Sequence, residues 1–480
     1  MRSSYKATLW TFIGKFGSLF TSFVIGIILA RLLSPSDYGL VGISSIFITL
    51  SNVFMDLGFA NALIRKLDRT EEDLSTAFFF NIIMAASIYA VLFVASPFVA
   101  YYFDSEILCP LLRVSSLTLL LKSLIIVPNA ILTSKLKMKQ QTLISLGSEI
   151  PAGIASICMA YIGWGVYALA LQSVISILLS GIFMWNIVKW HPILVFSKSS
   201  ALYFWNFGSK LLGANLIGTL VGNLNSFIIG KNIGKAELGY YSKSVSLGGM
   251  PFGIFTGVIE KVGLPILSAY QNDKILLLEK YRYVSKLILS SSLLIIGILF
   301  VVAKPLIIFL WTDKWEPSAF LMQILLISYI FSPACSLNLV LLQILNRTDI
   351  TLKMEFIKKP LFVLILLFSA RYGLIALVIG QTIATVLATT VNMYASKALI
   401  SYTYRQQFYD ILKYLIPIII ACIIPCYILY NYDFNNIVKI IIGIILVPCI
   451  YILLLQIMKD DIYIELRDLC INKIKTIICK

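Results

Sequence analysis

Stretches of about twenty apolar residues recur from one end of this chain to the other, separated only by short polar breaks. An α-helix rises 1.5 Å per residue, so ~20 such residues cross the ~30 Å hydrocarbon core of a bilayer. The recurrence predicts an all-α integral membrane protein and leaves no room for a sizeable soluble domain. Composition agrees: 59% of the 480 residues are apolar and 13% charged, against roughly 45–50% and 25% in soluble domains. A net charge of +16 suggests nucleic acid in a soluble protein. Here the Lys and Arg residues are parcelled into loops, where they set topology, and no nucleic-acid partner is expected.

Apolar segments bounded by charge or turn residues predict fourteen helices, near 7–30, 39–62, 75–99, 108–130, 142–162, 166–188, 203–230, 243–269, 284–303, 318–343, 355–370, 373–396, 411–430 and 437–458. The seventh is polar and the eleventh short. The amino-terminal run has signal-peptide polarity, but it exceeds a ~7–15-residue h-region and is read as the first transmembrane helix. The loops on the amino-terminal side hold 26 Lys and Arg and those opposite hold nine, Lys243 among them. The excess predicts both termini in the cytoplasm, which an even number of spans also requires. Four cations, Lys15, Lys122, Lys210 and Lys261, remain inside predicted helices.

A faint internal repeat aligns Trp10-Thr-Phe-Ile-Gly-Lys15 with Trp205-Asn-Phe-Gly-Ser-Lys210. At an offset of 200, Asp37-Tyr-Gly39 matches Glu237-Leu-Gly239, and Ser44 matches Ser244. With about six helices between them, the halves would share one orientation, as in transporters that rock one lobe against another. The expected divisions are therefore 1–198 (helices 1–6), 199–400 (helices 7–12), 401–458 (helices 13 and 14) and an amphipathic cytoplasmic tail, 459–480.

Enzymatic chemistry has little to stand on. The single histidine, His191, precedes Pro192 in a loop and reads as a surface residue. Eight scattered cysteines form no CxxC and read as small buried hydrophobes, so no metal or cofactor is expected. No Gly-rich phosphate loop is present, and energy must come from a gradient, the membrane potential or a partner.

The informative residues are ionisable groups at membrane depth. Even the lower estimates charge ~2.5–3.5 kcal/mol for one at a helix centre, so such groups normally face a cavity or a counter-ion. Lys15, Lys122, Lys210, Lys261 and Glu149 all lie seven or eight residues from the cytoplasmic ends of their predicted helices, about 10–12 Å in. Together they suit a basic pocket for an anionic head group, with Asp56 and Glu260 near enough to pair with some of the lysines. A lysine near an interface also snorkels to water, and Glu149 is equally readable as a helix-packing partner of Lys122. Asn215, Asn223 and Asn225 give the seventh helix too many amides to face lipid, so it lines a helix interface or a wet cavity.

Ala30-Arg-Leu-Leu-Ser-Pro-Ser-Asp-Tyr-Gly39, followed by Asp56-Leu-Gly-Phe-Ala-Asn-Ala-Leu-Ile-Arg65, resembles the opening of bacterial polysaccharide flippases. These belong to the multidrug, oligosaccharidyl-lipid and polysaccharide exporter superfamily. The resemblance implies two pseudo-symmetric six-helix lobes in a V around a central cavity, plus two carboxyl-terminal helices, in the bacterial inner membrane. It implies a carrier for undecaprenyl-pyrophosphate-linked oligosaccharide. In it Lys15, Lys122, Lys210 and Lys261 would hold the pyrophosphate, with Asp56, Glu149, Glu260, Asn223 and Asn225 as polar or coupling groups for H+ or Na+. A peptidoglycan-precursor flippase fits the same charges. A cationic-drug antiporter of this fold would want carboxylates instead, and a membrane-embedded polymerase would show a large periplasmic loop or clustered acids and histidines.

Overall fold

The computed structural model describes residues 2–55, 63, 69–465 and 467–468, with the side chains at 2–8, 203–204, 206–208, 210–211, 214, 260 and 348 excepted. Among the described residues the chain forms fourteen long helices and no strand: α1 (Arg2–Leu32), α2 (Pro35–Met55), α3 (Glu71–Tyr102), α4 (Leu108–Ser134), α5 (Met138–Tyr161), α6 (Val166–Val188), α7 (Lys198–Ile228), α8 (Lys235–Ser268), α9 (Lys274–Trp311), α10 (Pro317–Ile344), α11 (Thr348–Ser369), α12 (Leu374–Ile400), α13 (Tyr404–Asn431) and α14 (Asn436–Ile457). Each expected segment has its helix. Twelve are long and apolar enough to cross a membrane. The other two are α7 and α11, whose polarity comes from amides in one and from Lys353, Glu355, Lys358 and Lys359 in the other.

Two boundaries move in a way that matters. α8 begins at Lys235 rather than near 243, which carries Lys243 about two turns into the helix. Lys243 is not a loop residue. It is 9% exposed, with its ammonium 5.0 Å from the Trp311 ring and 5.8 Å from the Trp315 ring. α11 begins at Thr348 rather than near 355, which carries Lys358 from the first turn to nearly three turns into the helix.

The chain divides into two compact units, Met1–Gly239 and Tyr240–Lys480. The expected division at 198/199 differs because α7 packs against α2 and α3 and so falls with the first unit. Within that unit α1 lies close on α5 because small residues let the backbones approach. A Cβ at Gly14 would stand 2.6 Å from Thr142 Oγ1, and the Gly153 position is filled by Ile25, whose Cδ1 would be 2.0 Å away. In the second unit Gly297 admits Ile418 of α13, and Gly443 of α14 admits Val302, so α9 packs against both closing helices. The same three elements are pinned by charge. Asp410 of α13, fully buried, accepts from Arg282 Nε and Nη2 of α9 at 3.0 Å each and from the Tyr402 hydroxyl at 2.6 Å. Asp460, just past α14, pairs with Lys413 at 2.6 Å.

The repeat has a physical counterpart. A Cβ at Gly39 would lie 1.7 Å from the carbonyl oxygen of Lys235, and one at Gly239 would lie 2.0 Å from that of Pro35. Pro35 and Lys235 are the first residues of α2 and α8, so each glycine receives the opposite helix's first carbonyl. Ser44 and Ser244 are both buried a turn further on.

The tail is helical over 461–465, and 469–480 lie outside the described residues. No disulfide forms among the described cysteines, and Cys158, Cys426 and Cys449 are exposed rather than buried.

Candidate functional site

Polar residues at helical spacing on four helices of the first unit converge on one groove. On α2 the face Ser44, Ser45, Ile48, Thr49 and Asn52 repeats at three and four residues, and on α4 Ser115, Thr118 and Lys122 do the same. These two faces, with Ser173 of α6, line a cavity of about 320 Å³. Asn52 and Lys122 also border a second cavity, of about 450 Å³, whose other wall is Asn215, Gly218 and Thr219 of α7. Asn223, one turn on, donates its amide to the Thr219 carbonyl at 2.8 Å. Of the three amides that the sequence singled out on α7, Asn215 lies in this wall.

Lys122 lies between the two cavities. Its ammonium donates to Asn52 Oδ1 at 2.8 Å, while Asn52 Nδ2 donates to the Ile48 carbonyl at 2.9 Å. The amide is therefore oriented with its acceptor towards the cation. Among the described residues no carboxylate pairs with Lys122. Because α4 continues to Ser134, Lys122 stands twelve residues from that end and fourteen from Leu108, or ~18 and ~21 Å. This is deeper than its sequence placement, because the apolar segment stops before the helix does. A cation at mid-helix whose partner among the described residues is neutral, in a wall of hydroxyls and amides, offers a charge-assisted hydrogen bond to an anionic or hydroxyl-rich guest.

The other expected residues distribute differently. Glu149 does not pair with Lys122. It lies at the middle of α5, where Oε1 accepts from Ser18 at 3.1 Å and from Ser145 at 3.0 Å, while Oε2 is buried without a hydrogen bond. Lys15 is exposed on α1, and Lys261 is exposed in a π-helical turn of α8, Ile259–Gly263. Asn225 is buried. Asp56 and the side chains of Lys210 and Glu260 lie outside the described residues. His191 is exposed, as expected.

Sequence reading missed Asn52 and the hydroxyls of α2, although their three- and four-residue spacing carried the signal. It also missed a second half-buried lysine and amide pair, in the other unit. Lys358 of α11 donates to Asn392 Oδ1 of α12 at 2.9 Å and pairs with Glu355.

The family of polysaccharide biosynthesis proteins matches residues 28–320. The teichuronic acid biosynthesis protein TuaB of Bacillus subtilis (strain 168) is 26% identical over 281 residues, 58% of each chain. The match therefore spans little more than half that relative's length. The lipopolysaccharide biosynthesis protein WzxC of Escherichia coli (strain K12) is 22% identical over 414 residues, 82% of each. Among solved structures, the lipid II flippase MurJ in an inward closed conformation superposes with a TM-score of 0.72 at 15% identity, over 95% of this chain and 99% of that one. An inward-facing multidrug resistance MATE family transporter of the MOP superfamily gives 0.61 at 17%, over 80% and 94%. The chain belongs to the polysaccharide biosynthesis protein family and carries the fold of the multidrug, oligosaccharidyl-lipid and polysaccharide exporter superfamily.

Proposed function

We propose that this protein flips an undecaprenyl-pyrophosphate-linked oligosaccharide across the bacterial inner membrane by alternating access, for assembly of a surface polysaccharide. The observation that carries the reading is Lys122, a cation at the middle of its helix, bonded among the described residues to Asn52 and set among the hydroxyls and amides of α2, α4, α6 and α7. Such a lining, which among the described residues holds no carboxylate, replaces the water around a glycan hydroxyl or an anionic oxygen. Membership of the polysaccharide biosynthesis family supports the glycan, and the superfamily fold supports a carrier rather than a catalyst.

In this reading the excess of Lys and Arg keeps both termini in the cytoplasm. Lys15, Lys210 and Lys261 assist Lys122 with the pyrophosphate, and Asp56 and Glu260 moderate the charge. Glu149, with Ser18 and Ser145, is the candidate for a coupling cation, H+ or Na+, and Asn223 and Asn225 solvate the path along α7. The test is to replace Lys122 with Ala in a strain lacking the native copy and to follow surface polysaccharide at equal protein level. Loss of polysaccharide with normal growth is the expected result. Normal export overturns the Lys122 assignment, and a growth arrest on deletion of the gene reassigns the cargo to the peptidoglycan precursor.

A further inference from the structure

The connection from α6 to α7 is held in place yet presents apolar side chains outward. Residues 189–197 contain no helix, and four contacts tie the segment and the following turn to the first turns of α3. Trp190 Nε1 donates to Glu71 Oε2 at 2.7 Å, the Ile193 amide to Ser75 Oγ at 3.0 Å, the Ser197 amide to Thr76 Oγ1 at 3.0 Å, and Ser200 Oγ to Asp73 Oδ1 at 2.7 Å. The acceptors Asp73, Ser75 and Thr76 are themselves fully buried. Trp190 packs edge-on to Phe78, with ring centroids 5.7 Å apart. A segment secured this way has a fixed outer face, and that face is Leu194, 93% exposed, with Phe196 at 55%. Lys189 and Lys198, both exposed, flank it.

Water is a poor environment for a fixed Leu and Phe. Nine residues that follow one helix long and apolar enough to cross a membrane, α6, and are anchored to the start of another, α3, remain at the membrane boundary. Aromatic and aliphatic side chains bracketed by lysines match the headgroup layer, where apolar groups enter the acyl boundary and ammonium groups meet lipid phosphates. We propose that residues 189–198 form an interfacial anchor, with Leu194 and Phe196 inserted into the leaflet on the amino-terminal side and Lys189 and Lys198 against anionic phospholipid headgroups. The anchor fixes the α6–α7 connection at one depth.

The experiment places an environment-sensitive fluorescent amino acid at 194, and separately at 196, in the full chain reconstituted in phosphatidylethanolamine and phosphatidylglycerol vesicles. A third variant carries it at 191, where His191 is exposed beside the anchored Trp190. Insertion predicts strong quenching at 194 and 196 by phospholipid spin-labelled near the headgroup and little by aqueous iodide, with iodide several-fold more effective at 191. Removing phosphatidylglycerol is expected to weaken the lipid quenching. Iodide quenching at 194 and 196 equal to that at 191 overturns the proposal, because the face then points to water. Protection from both quenchers also overturns it, because a second copy or the tail of the same chain then covers the face.

Discussion

Replacing Lys122 with Met separates two consequences that a damaged fold would join. Methionine keeps the length of the stem and removes the ammonium, so Asn52 Oδ1 loses a 2.8 Å donor but still borders a cavity of about 450 Å³. At ~30 Å³ per molecule that space holds on the order of fifteen waters, enough to satisfy the freed oxygen. An embedded lysine is itself unfavourable by ~2.5–3.5 kcal/mol on the lower estimates, so K122M should leave thermal stability unchanged or raise it. Transport should move the other way. If Lys122 holds the cargo, one charge-assisted hydrogen bond of ~1.5–3 kcal/mol disappears, and at ~1.36 kcal/mol per decade the initial rate at low substrate falls by about 10- to 150-fold. The assay is uptake of a fluorescent lipid-linked oligosaccharide by proteoliposomes, with the melting midpoint of the same preparation measured alongside. K122R, which restores the charge, should recover part of the rate. A wild-type rate in K122M refutes the reasoning, as does a rate that falls only together with the midpoint and is not recovered by K122R.

Gly39→Ala and Gly239→Ala should each lower stability by ~1–3 kcal/mol or more, because backbone carbonyls 1.7 and 2.0 Å from the new methyl cannot yield; melting of the detergent-purified variants checks this, and equal, near-zero effects would remove the reciprocal contact. Asp410→Asn leaves Arg282 and Lys286 without their buried carboxylate and should cost ~3–5 kcal/mol, whereas Arg282→Met with Asp410→Leu should recover most of that loss in the same melt. Glu149→Gln keeps an acceptor for Ser18 and Ser145 and removes the charge, so gradient-driven transport should fall while the melting midpoint holds. A coupled drop of both would make Glu149 a packing residue.

What was legible in the sequence was whatever hydrophobicity alone decides. Twelve of the fourteen helices could be placed because a span must supply ~20 apolar residues whatever its neighbours, and α7 and α11 were placed by the charge and turn residues that bound them. Their ends were less legible, because a helix carries on past its apolar stretch wherever polar side chains find partners. Lys243 reads as a loop cation until α8 is seen to begin at Lys235 and two tryptophan rings are seen to cover it. Lys358 reads as a cation of a helix's first turn until Asn392 and Glu355 receive it. These partners lie on other helices or a turn away, and no hydropathy window registers them. The repeat was visible at Gly39 and Gly239, but its reason, two carbonyls that leave no room for a Cβ, is purely tertiary.

The same effect decides between the two readings of Lys122. Near an interface, a lysine stem lifts its ammonium to water, and no cavity is needed. α4 has 27 residues, or ~40 Å, and a ~30 Å core leaves about 5 Å of overhang at each end. Lys122, ~18 Å from the nearer end, therefore lies about 13 Å below the boundary, and a four-carbon stem of roughly 6 Å does not span that depth. Its ammonium must be hydrated sideways, through the groove that Asn52, Asn215 and Thr219 line. The groove is thus a condition for the lysine's charge as well as a place for cargo. Sealing it by changing Gly218, which has open space where a Cβ would stand, to Leu should destabilise the protein only while Lys122 is present. In G218L the added K122M change is then expected to restore the melting midpoint, and an additive loss in the double variant would mean that the lysine draws its water from elsewhere.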